Sequence, residues 1–183
     1  MRKIIAAEYL SLDGVMEDPA WTGPYWNDEL ASAQSELLHA CDALLLGRVT
    51  YEGFAAAWPQ MGGDGGFGDR MNSLPKHVVT TTLNEPTWNA RFIKENVVAE
   101  ITRLKALPGG DLLVYGSATL LDTLRQHDLV DVYRLMVHPL VLGSGRKLFR
   151  DGSGESKLTL LSAEQTSTGV QVLTFGRAEA TGK

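Results

Sequence analysis

The sequence predicts an α/β protein with a mostly parallel central sheet, helices on both faces of that sheet, and an antiparallel hairpin at one edge. Strand-like segments alternate with helical segments through most of the chain, which is the pattern that parallel sheets require. The last part of the chain instead carries two strand-like segments on either side of Thr168-Gly169, which predicts a hairpin. The chain has 183 residues and no internal repeat or linker, so we expect a single domain over residues 1–183.

The strands are predicted from short runs of apolar or β-branched residues that end at turn-forming residues. The first run ends before the turn-prone pair Asp13-Gly14, and the last strand of the alternating part runs into Pro139. In chain order, the predicted strands cover residues 3–9, 43–46, 76–83, 111–116, 130–138, 158–164 and 170–175.

The helices are predicted from apolar residues at helical spacing and from residues that suit helix ends. Asn27 or Asp28 can cap the first helix, and Ser117 can cap the last. In chain order, the predicted helices cover residues 30–41, a short segment from about residue 50, residues 97–107, and a segment that carries Leu120, Leu121 and Leu124. Residues 16–27 and the Gly-rich residues 63–68 are expected to be loops.

The composition argues against several kinds of partner. A net charge of −5 gives no electrostatic reason to expect nucleic acid or an anionic membrane surface. No apolar run has the length of a signal peptide or a membrane span, so we expect a cytoplasmic protein. Cys41 is the only cysteine and is expected in the core, and the histidines show no metal-ligand spacing, so no metal site is predicted.

Three predicted strands end at residues that suit an anionic ligand. Free N–H groups at a helix start, small hydroxyl side chains and nearby cations all favour phosphate groups. The second strand is followed by Gly47, Arg48 and Thr50. The third strand carries Thr80, Thr81 and Thr82, beside Lys76. The strand that ends at Tyr115 is followed by Gly116 and Ser117. One such junction alone is usually only a cap and a turn, and Arg48 could instead pair with Glu52 on its own helix. Together the junctions favour a ligand with several phosphates.

Four segments stand in an order and spacing that resemble the dihydrofolate reductase superfamily. They are SLDG at 11–14, LLLGRVTYE at 44–52, LLVYGSATLLDTL at 112–124 and LVDVYRLMVHPLVLGSGRKLF at 129–149. More closely, the chain resembles the bacterial branch related to the C-terminal reductase domain of the bifunctional riboflavin-biosynthesis deaminase-reductase. The resemblance implies a dihydrofolate reductase-like three-layer sandwich and an NADPH-dependent reductase. The substrate would be a small heterocycle of the 5-amino-6-(5-phosphoribosylamino)uracil or pteridine type.

The resemblance also implies a set of NADPH-binding residues. Arg48 would pair with the 2′-phosphate, Thr50 and the segment after Tyr115 would hold the pyrophosphate, and Thr81 or Thr82 would reach the adenosine phosphate. The loop after the first strand would close over the nicotinamide. The full set is Ala7, Asp13, Gly14, Gly47, Arg48, Thr50, Thr80, Thr81, Thr82, Tyr115, Gly116, Ser117, Ala118 and Thr119.

The catalytic acid is where the chain departs from the dihydrofolate reductase pattern. Trp21 and Pro24 match the family's Trp-x-x-Pro-x-Asp segment, but Trp26 stands at the position of the acid. Asp28 is therefore the candidate acid, with Trp21 beside it, and Asp28 could equally be an ordinary acidic residue at a helix start.

Other expectations concern the substrate phosphate, the partners and the alternatives. Arg146 and Lys147 could bind a substrate phosphate or be solvated surface charges. The apolar segment 130–142 could lie at a sheet edge and form a homodimer. The alternatives to a reductase are a nucleotide-binding protein of the same fold without turnover, and a structural protein whose glycines only make turns.

Overall fold

The strands of the computed structural model form one sheet within the residues that the structure describes, which are 1–63, 65–152 and 154–178. The predicted domain therefore extends beyond the described residues at 179–183. The elements are β1 Ile4–Ser11, α1 Asp28–Ala40, β2 Cys41–Gly47, α2 Arg48–Ala57, α3 Phe67–Ser73, β3 Lys76–Val79, β4 Ala90–Ile93, α4 Val97–Ala106, β5 Asp111–Tyr115, α5 Ala118–Gln126, β6 Val132–His138, β7 Leu158–Gln165 and β8 Gln171–Arg177. Short 3-10 helices cover Pro19–Tyr25 and Trp58–Gln60.

The strand order is β4-β3-β2-β5-β1-β6-β8-β7. All pairs from β4 to β6 are parallel, whereas β8 pairs antiparallel with both β6 and β7. The predicted fold class, with its antiparallel hairpin at one edge, is confirmed. Because the parallel strands point the same way, their carboxyl ends lie along one edge of the sheet, which is where open α/β sheets bind ligands.

The core has two apolar layers because successive side chains of a strand point to opposite faces of the sheet. Leu45 of β2 lies in the layer that α4 and α5 cover, together with Leu104 and Leu124. Its neighbour Leu44 lies in the layer that α1, α2 and α3 cover, together with Leu38. This arrangement gives the predicted sandwich of helices, sheet and helices.

Several local predictions are wrong, each for a physical reason. Residues 16–27 include a 3-10 helix rather than only loop, and α3 begins inside the predicted Gly-rich loop at Phe67. Strand β3 ends at Val79 because the Thr80 hydroxyl accepts the N–H groups of Thr82 and Leu83, which turns the chain. Strand β4 was not predicted. Asn27 does cap α1, since its side chain accepts the Leu30 N–H at 3.0 Å.

The predicted dimerising edge is an internal strand. Strand β6, which begins the apolar segment 130–142, lies between β1 and β8 and pairs with both of them. The edge at that end of the sheet is β7, where Leu160 and Leu161 are more than half exposed. In the described ranges no helix has the length and apolarity that crossing a membrane requires.

Candidate active site

A cleft of about 1290 Å³ opens at the carboxyl ends of the parallel strands. It brings together most of the residues that the sequence predicts for NADPH: Ala7, Gly47, Arg48, Thr50, Thr80, Thr81, Thr82, Tyr115, Gly116, Ser117, Ala118 and Thr119 all line it. Four other predicted site residues, Asp13, Gly14, Trp21 and Asp28, are not part of its wall.

The junctions after β2 and β5 are bound to each other at the centre of the cleft. The Gly47 N–H donates to the Ser117 hydroxyl and the Ser117 N–H donates to the Thr50 hydroxyl, each over 2.9 Å. Gly116 has a φ of +54°, and a Cβ added to it would stand 3.0 Å from Thr50 Oγ1. Glycine at this position therefore lets the two junctions approach closely.

Both helices that start at these junctions present uncapped N-termini. Gly47 has no side chain to cap α2. Ser117 makes no capping hydrogen bond to α5, since its hydroxyl oxygen instead accepts the Gly47 N–H while its hydrogen goes to the Tyr115 carbonyl. The prediction that Ser117 caps its helix is thus wrong. The first N–H groups of α2 and α5 and both helix dipoles are consequently available to an anion in the cleft.

Arg48 is paired with Glu52, one turn further along α2. The guanidinium Nη1 lies 2.6 Å from Glu52 Oε2, and both side chains are 45% exposed. This is the ion pair that the sequence left open as an alternative. An exposed pair of this kind contributes only about 0.3–0.5 kcal/mol, so a phosphate in the cleft can compete for the guanidinium.

The threonine segment after β3 also faces the cleft, but with a different cation from the predicted one. Thr81 and Thr82 are exposed, whereas the Thr80 hydroxyl is occupied by the turn described above. Lys76 begins β3 and so lies at the opposite end of the strand, fully buried, where its ammonium donates to two α3 carbonyls. Lys94 lines the cleft instead, directly after the unpredicted strand β4.

One half of the cleft, beneath α1, has aromatic walls. Phe54 packs edge-on against Tyr115 and Trp58, with ring centroids 6.4 Å and 6.3 Å away. Gln34 of α1 donates to the Tyr9 hydroxyl at 2.7 Å. Two buried oxygens, Gln34 Oε1 and Tyr115 Oη, have no hydrogen-bond partner within the described part of the chain. This half of the cleft therefore suits a planar ring that carries polar substituents.

Glu8 is a cleft residue that the sequence reasoning missed. It lies in the middle strand β1, is only 3% exposed, and accepts the Gly116 N–H on Oε2 at 3.0 Å. Burial raises the pKa of its carboxyl well above the ordinary value, and the Gly116 hydrogen bond lowers it only in part. The sequence carries one signal for this site residue, which is an acidic residue inside an otherwise apolar strand. Such a residue is expected to be buried, and buried carboxylic acids in clefts are often functional.

The two predicted catalytic residues lie outside the cleft wall. Asp28 is exposed in the first turn of α1, where it complements the helix dipole. Trp21 packs edge-on against the buried His138, with ring centroids 5.2 Å apart, and its indole N–H donates to the Glu17 carbonyl. The geometry gives neither residue a reacting partner, so their catalytic role rests on the resemblance alone.

Asp13 and Gly14 instead join the loop after β1 to the loop after β6. The Asp13 carboxylate accepts hydrogen bonds from the Ser11 hydroxyl and from the N–H groups of Leu142 and Gly143. These bonds, with the one from Ser11 as the largest cause, lower the Asp13 pKa to about 2. Gly14 accepts the Leu148 N–H. The two loops thus form one structure.

The same pair of loops places one of the two predicted cations in the cleft. Arg146 lines it, with its guanidinium 3.2 Å from the buried carboxylate of Asp122. Lys147 is exposed outside the cleft, in a β-bridge with Val15. Among the described residues there is no group of three or more histidine, cysteine, aspartate or glutamate side chains placed to hold a metal ion.

The comparisons with known proteins agree with this geometry. The family model for the RibD C-terminal domain matches residues 2–172. The Bacillus subtilis protein YyaP is 29% identical over 177 residues, which cover 95% of this chain and 94% of YyaP.

Two solved structures show the same fold. A protein from Shewanella sp. PV-4, named for riboflavin biosynthesis, has a TM-score of 0.78 at 21% identity and covers 97% of this chain and 99% of its own. The Thermotoga maritima diaminohydroxyphosphoribosylaminopyrimidine deaminase/5-amino-6-(5-phosphoribosylamino)uracil reductase has a TM-score of 0.70 at 16% identity. The match covers 97% of this chain and 57% of the bifunctional protein. The predicted resemblance to this reductase branch is confirmed.

Proposed function

The chain belongs to the RibD C-terminal domain family, and on that premise we propose that it is an NADPH-dependent reductase of a small heterocyclic substrate. The observation that carries the proposal is the pair of joined, uncapped helix N-termini at the cleft, with Arg48 beside them. Backbone N–H groups, two helix dipoles and a guanidinium together match the phosphates of this nucleotide.

Different residues of the cleft would bind different parts of NADPH. Arg48 would hold the 2′-phosphate, with Thr81 and Thr82 nearby, and the N–H groups that begin α2 and α5 would hold the pyrophosphate. A guanidinium binds a phosphate dianion through two parallel hydrogen bonds, so Arg48 would favour NADPH over NADH. When bound, NADPH would supply a hydride to the substrate.

The aromatic half of the cleft would hold the substrate. Its flat apolar walls would orient a heterocycle, and the free oxygens of Gln34 and Tyr115 would bond to the ring substituents. We propose 5-amino-6-(5-phosphoribosylamino)uracil, the compound in the name of the Thermotoga protein, or a pteridine as the substrate type. Arg146 lines the cleft and would bind the substrate phosphate. To do so, its guanidinium would exchange the Asp122 carboxylate for the phosphate.

One observation favours a second candidate function, nucleotide binding without turnover. The acid predicted from the sequence, Asp28, is exposed on the first turn of α1 and is not part of the cleft wall. A protein that kept the nucleotide site and lost the proton donor would bind NADPH and leave it unoxidised.

We also propose a homodimer formed through β7. Among the residues that the structure describes, the strand ends the sheet with an unpaired edge, and Leu160 and Leu161 expose 54% and 59% of their surface. Natural proteins usually cover an apolar edge of this kind, and a second copy of the chain would do so.

The test is a calorimetric titration with NADPH and NADH, followed by an assay of NADPH absorbance with each proposed substrate. We expect tight NADPH binding, weaker NADH binding and substrate-dependent oxidation. Thr50→Val, which removes the hydroxyl at the joined helix starts, should weaken NADPH binding. Thr102→Val is the matched control, because within the described part of the chain that hydroxyl donates to the Val98 carbonyl on α4 and is not part of the cleft wall. Binding without oxidation of NADPH would support the second candidate, and no binding of either nucleotide would refute both.

A further inference from the structure

We infer that Glu8 binds the nicotinamide riboside half of the nucleotide, as a neutral carboxylic acid that donates a hydrogen bond to an uncharged oxygen. The inference rests on the proposed function, because it assumes that NADPH occupies the cleft. Nothing in the family assignment or in the names of the relatives assigns a role to this residue.

The two carboxyl oxygens of Glu8 differ in their hydrogen bonding. Oε2 is engaged by the Gly116 N–H, but in the described residues Oε1 has no hydrogen-bond partner although it is buried. A buried polar atom without a hydrogen-bond partner is unfavourable, because it has lost its contact with water and gained nothing in exchange. Because Glu8 lines the cleft, a ligand is the natural source of the missing partner.

Strands β1 and β5 stop pairing just before Glu8. The parallel pairing of β1 with β5 ends at Ala7 and Tyr115, one residue before Glu8 and Gly116. Beyond that point the Glu8 side chain, rather than the β1 backbone, accepts the Gly116 N–H. The carboxyl group therefore stands at the point where β5 ends beside β1, in the wall of the cleft.

The order of the strands sets the direction in which a bound dinucleotide would cross the sheet edge. The phosphate-binding groups follow β3, β2 and β5, which are consecutive neighbours, and β1 is the next strand in the same direction. An extended dinucleotide whose phosphates bind along β3, β2 and β5 therefore reaches β1 with its other end. That end is the nicotinamide riboside, whose polar groups are an amide and two hydroxyls.

The charge state of Glu8 decides the direction of its hydrogen bond. A carboxylate beside the pyrophosphate-binding junction would repel the phosphates, and burial already favours the protonated form. Tyr9 and Tyr115 are the titratable neighbours, and burial raises the pKa of both, so they stay neutral as well. The other charged side chains of the cleft wall are Glu17, Asp18, Arg48, Lys94 and Arg146. With Oε2 as an acceptor, a protonated Oε1 is the donor.

Three variants test the inference by calorimetry with NADPH and with adenosine 2′,5′-bisphosphate, which lacks the nicotinamide riboside. Glu8→Leu should weaken NADPH binding about 5- to 100-fold, since one buried hydrogen bond is lost, and should change the affinity for the bisphosphate less than about twofold. Glu8→Gln should retain NADPH binding within about threefold, because an amide reproduces the acceptor and donor of a neutral acid. Arg48→Ala is the matched control and should weaken both ligands.

Infrared difference spectroscopy tests the inference without Glu8→Leu, so the test stands even if that variant does not fold. Infrared difference spectra of the wild type should show a protonated-carboxyl band that shifts with NADPH, does not shift with the bisphosphate, and is missing in Glu8→Gln. Equal NADPH affinity for wild type and Glu8→Leu, a large loss in Glu8→Gln, or an unshifted band would overturn the inference while leaving the proposed function intact. Failure of the wild type to bind NADPH would overturn both.

Discussion

Replacing Arg48 with alanine tests the cofactor assignment most directly. The residue is 45% exposed and already paired with Glu52, so its contribution to NADPH binding is a difference between two interactions. Hydrogen bonds from a guanidinium to a phosphate are worth roughly 1.5–3 kcal/mol, and the exposed pair that must be given up is worth roughly 0.3–0.5 kcal/mol. The net loss is roughly 1–2.7 kcal/mol, which weakens NADPH binding about 5- to 100-fold.

The same reasoning predicts the behaviour of three comparison measurements. NADH lacks the 2′-phosphate, so Arg48→Ala should leave its affinity unchanged. Glu52→Gln frees the guanidinium and should strengthen NADPH binding about twofold. Arg103→Ala removes a similarly exposed arginine from an ion pair with Glu100 on α4 and should change neither affinity. Titration calorimetry measures all of these, and an equal loss of NADPH and NADH binding in Arg48→Ala would refute the assignment.

Further predictions concern stability and assembly. Gly116→Ala should lower the free energy of unfolding by roughly 1–2 kcal/mol, because alanine is strained at a φ of +54° and its Cβ would crowd Thr50, whereas Gly53→Ala in α2, where a Cβ meets nothing, should raise it by roughly 0.5–1 kcal/mol; urea denaturation measures both changes, and an unchanged Gly116→Ala would contradict the prediction. The Asp13 pKa is about 2 in the folded protein and 3.8 ordinarily, so its stabilising effect is present above the ordinary pKa and is lost as the pH falls toward 2. Asp13→Asn should therefore lose less stability than the wild type between pH 4 and pH 2 in thermal unfolding, with equal losses contradicting the prediction. Leu161→Lys should convert a dimer into a monomer in light scattering, and Leu107→Lys, on another surface, should not; a dimer that persists would exclude β7 as the interface.

The strand-to-helix junctions could be predicted because their signals are local. A glycine at the end of an apolar run, followed by helix-forming residues, marks the carboxyl end of a parallel strand wherever the sequence places it, and Gly47 and Gly116 follow that rule. Strands and helices built on long periodic segments were found for the same reason. The antiparallel hairpin was found because no helix interrupts it.

The remaining site residues depend on contacts between distant parts of the chain. Glu8 is held in the cleft by a hydrogen bond from the Gly116 N–H, and Gly116 is 108 residues away in the sequence. A single acidic residue in a short strand does not indicate such a distant contact. Lys94 depends on a strand of four residues that is too short to show a period. Lys76 stands near the threonines in sequence, yet the first residue of a parallel strand lies at the edge of the sheet opposite the ligand.

The joined loops after β1 and β6 have a consequence for biosynthesis. Residues 11–17 leave the ribosome before residues 140–148, to which they are held by backbone hydrogen bonds, such as the one from the Met16 N–H to the Arg146 carbonyl. The cleft is therefore completed only after residues 140–148 have been made, when the parallel strands, which all precede them in the chain, can already have paired. A ligand that binds the finished cleft would thus stabilise the last step of folding and leave the early steps unassisted.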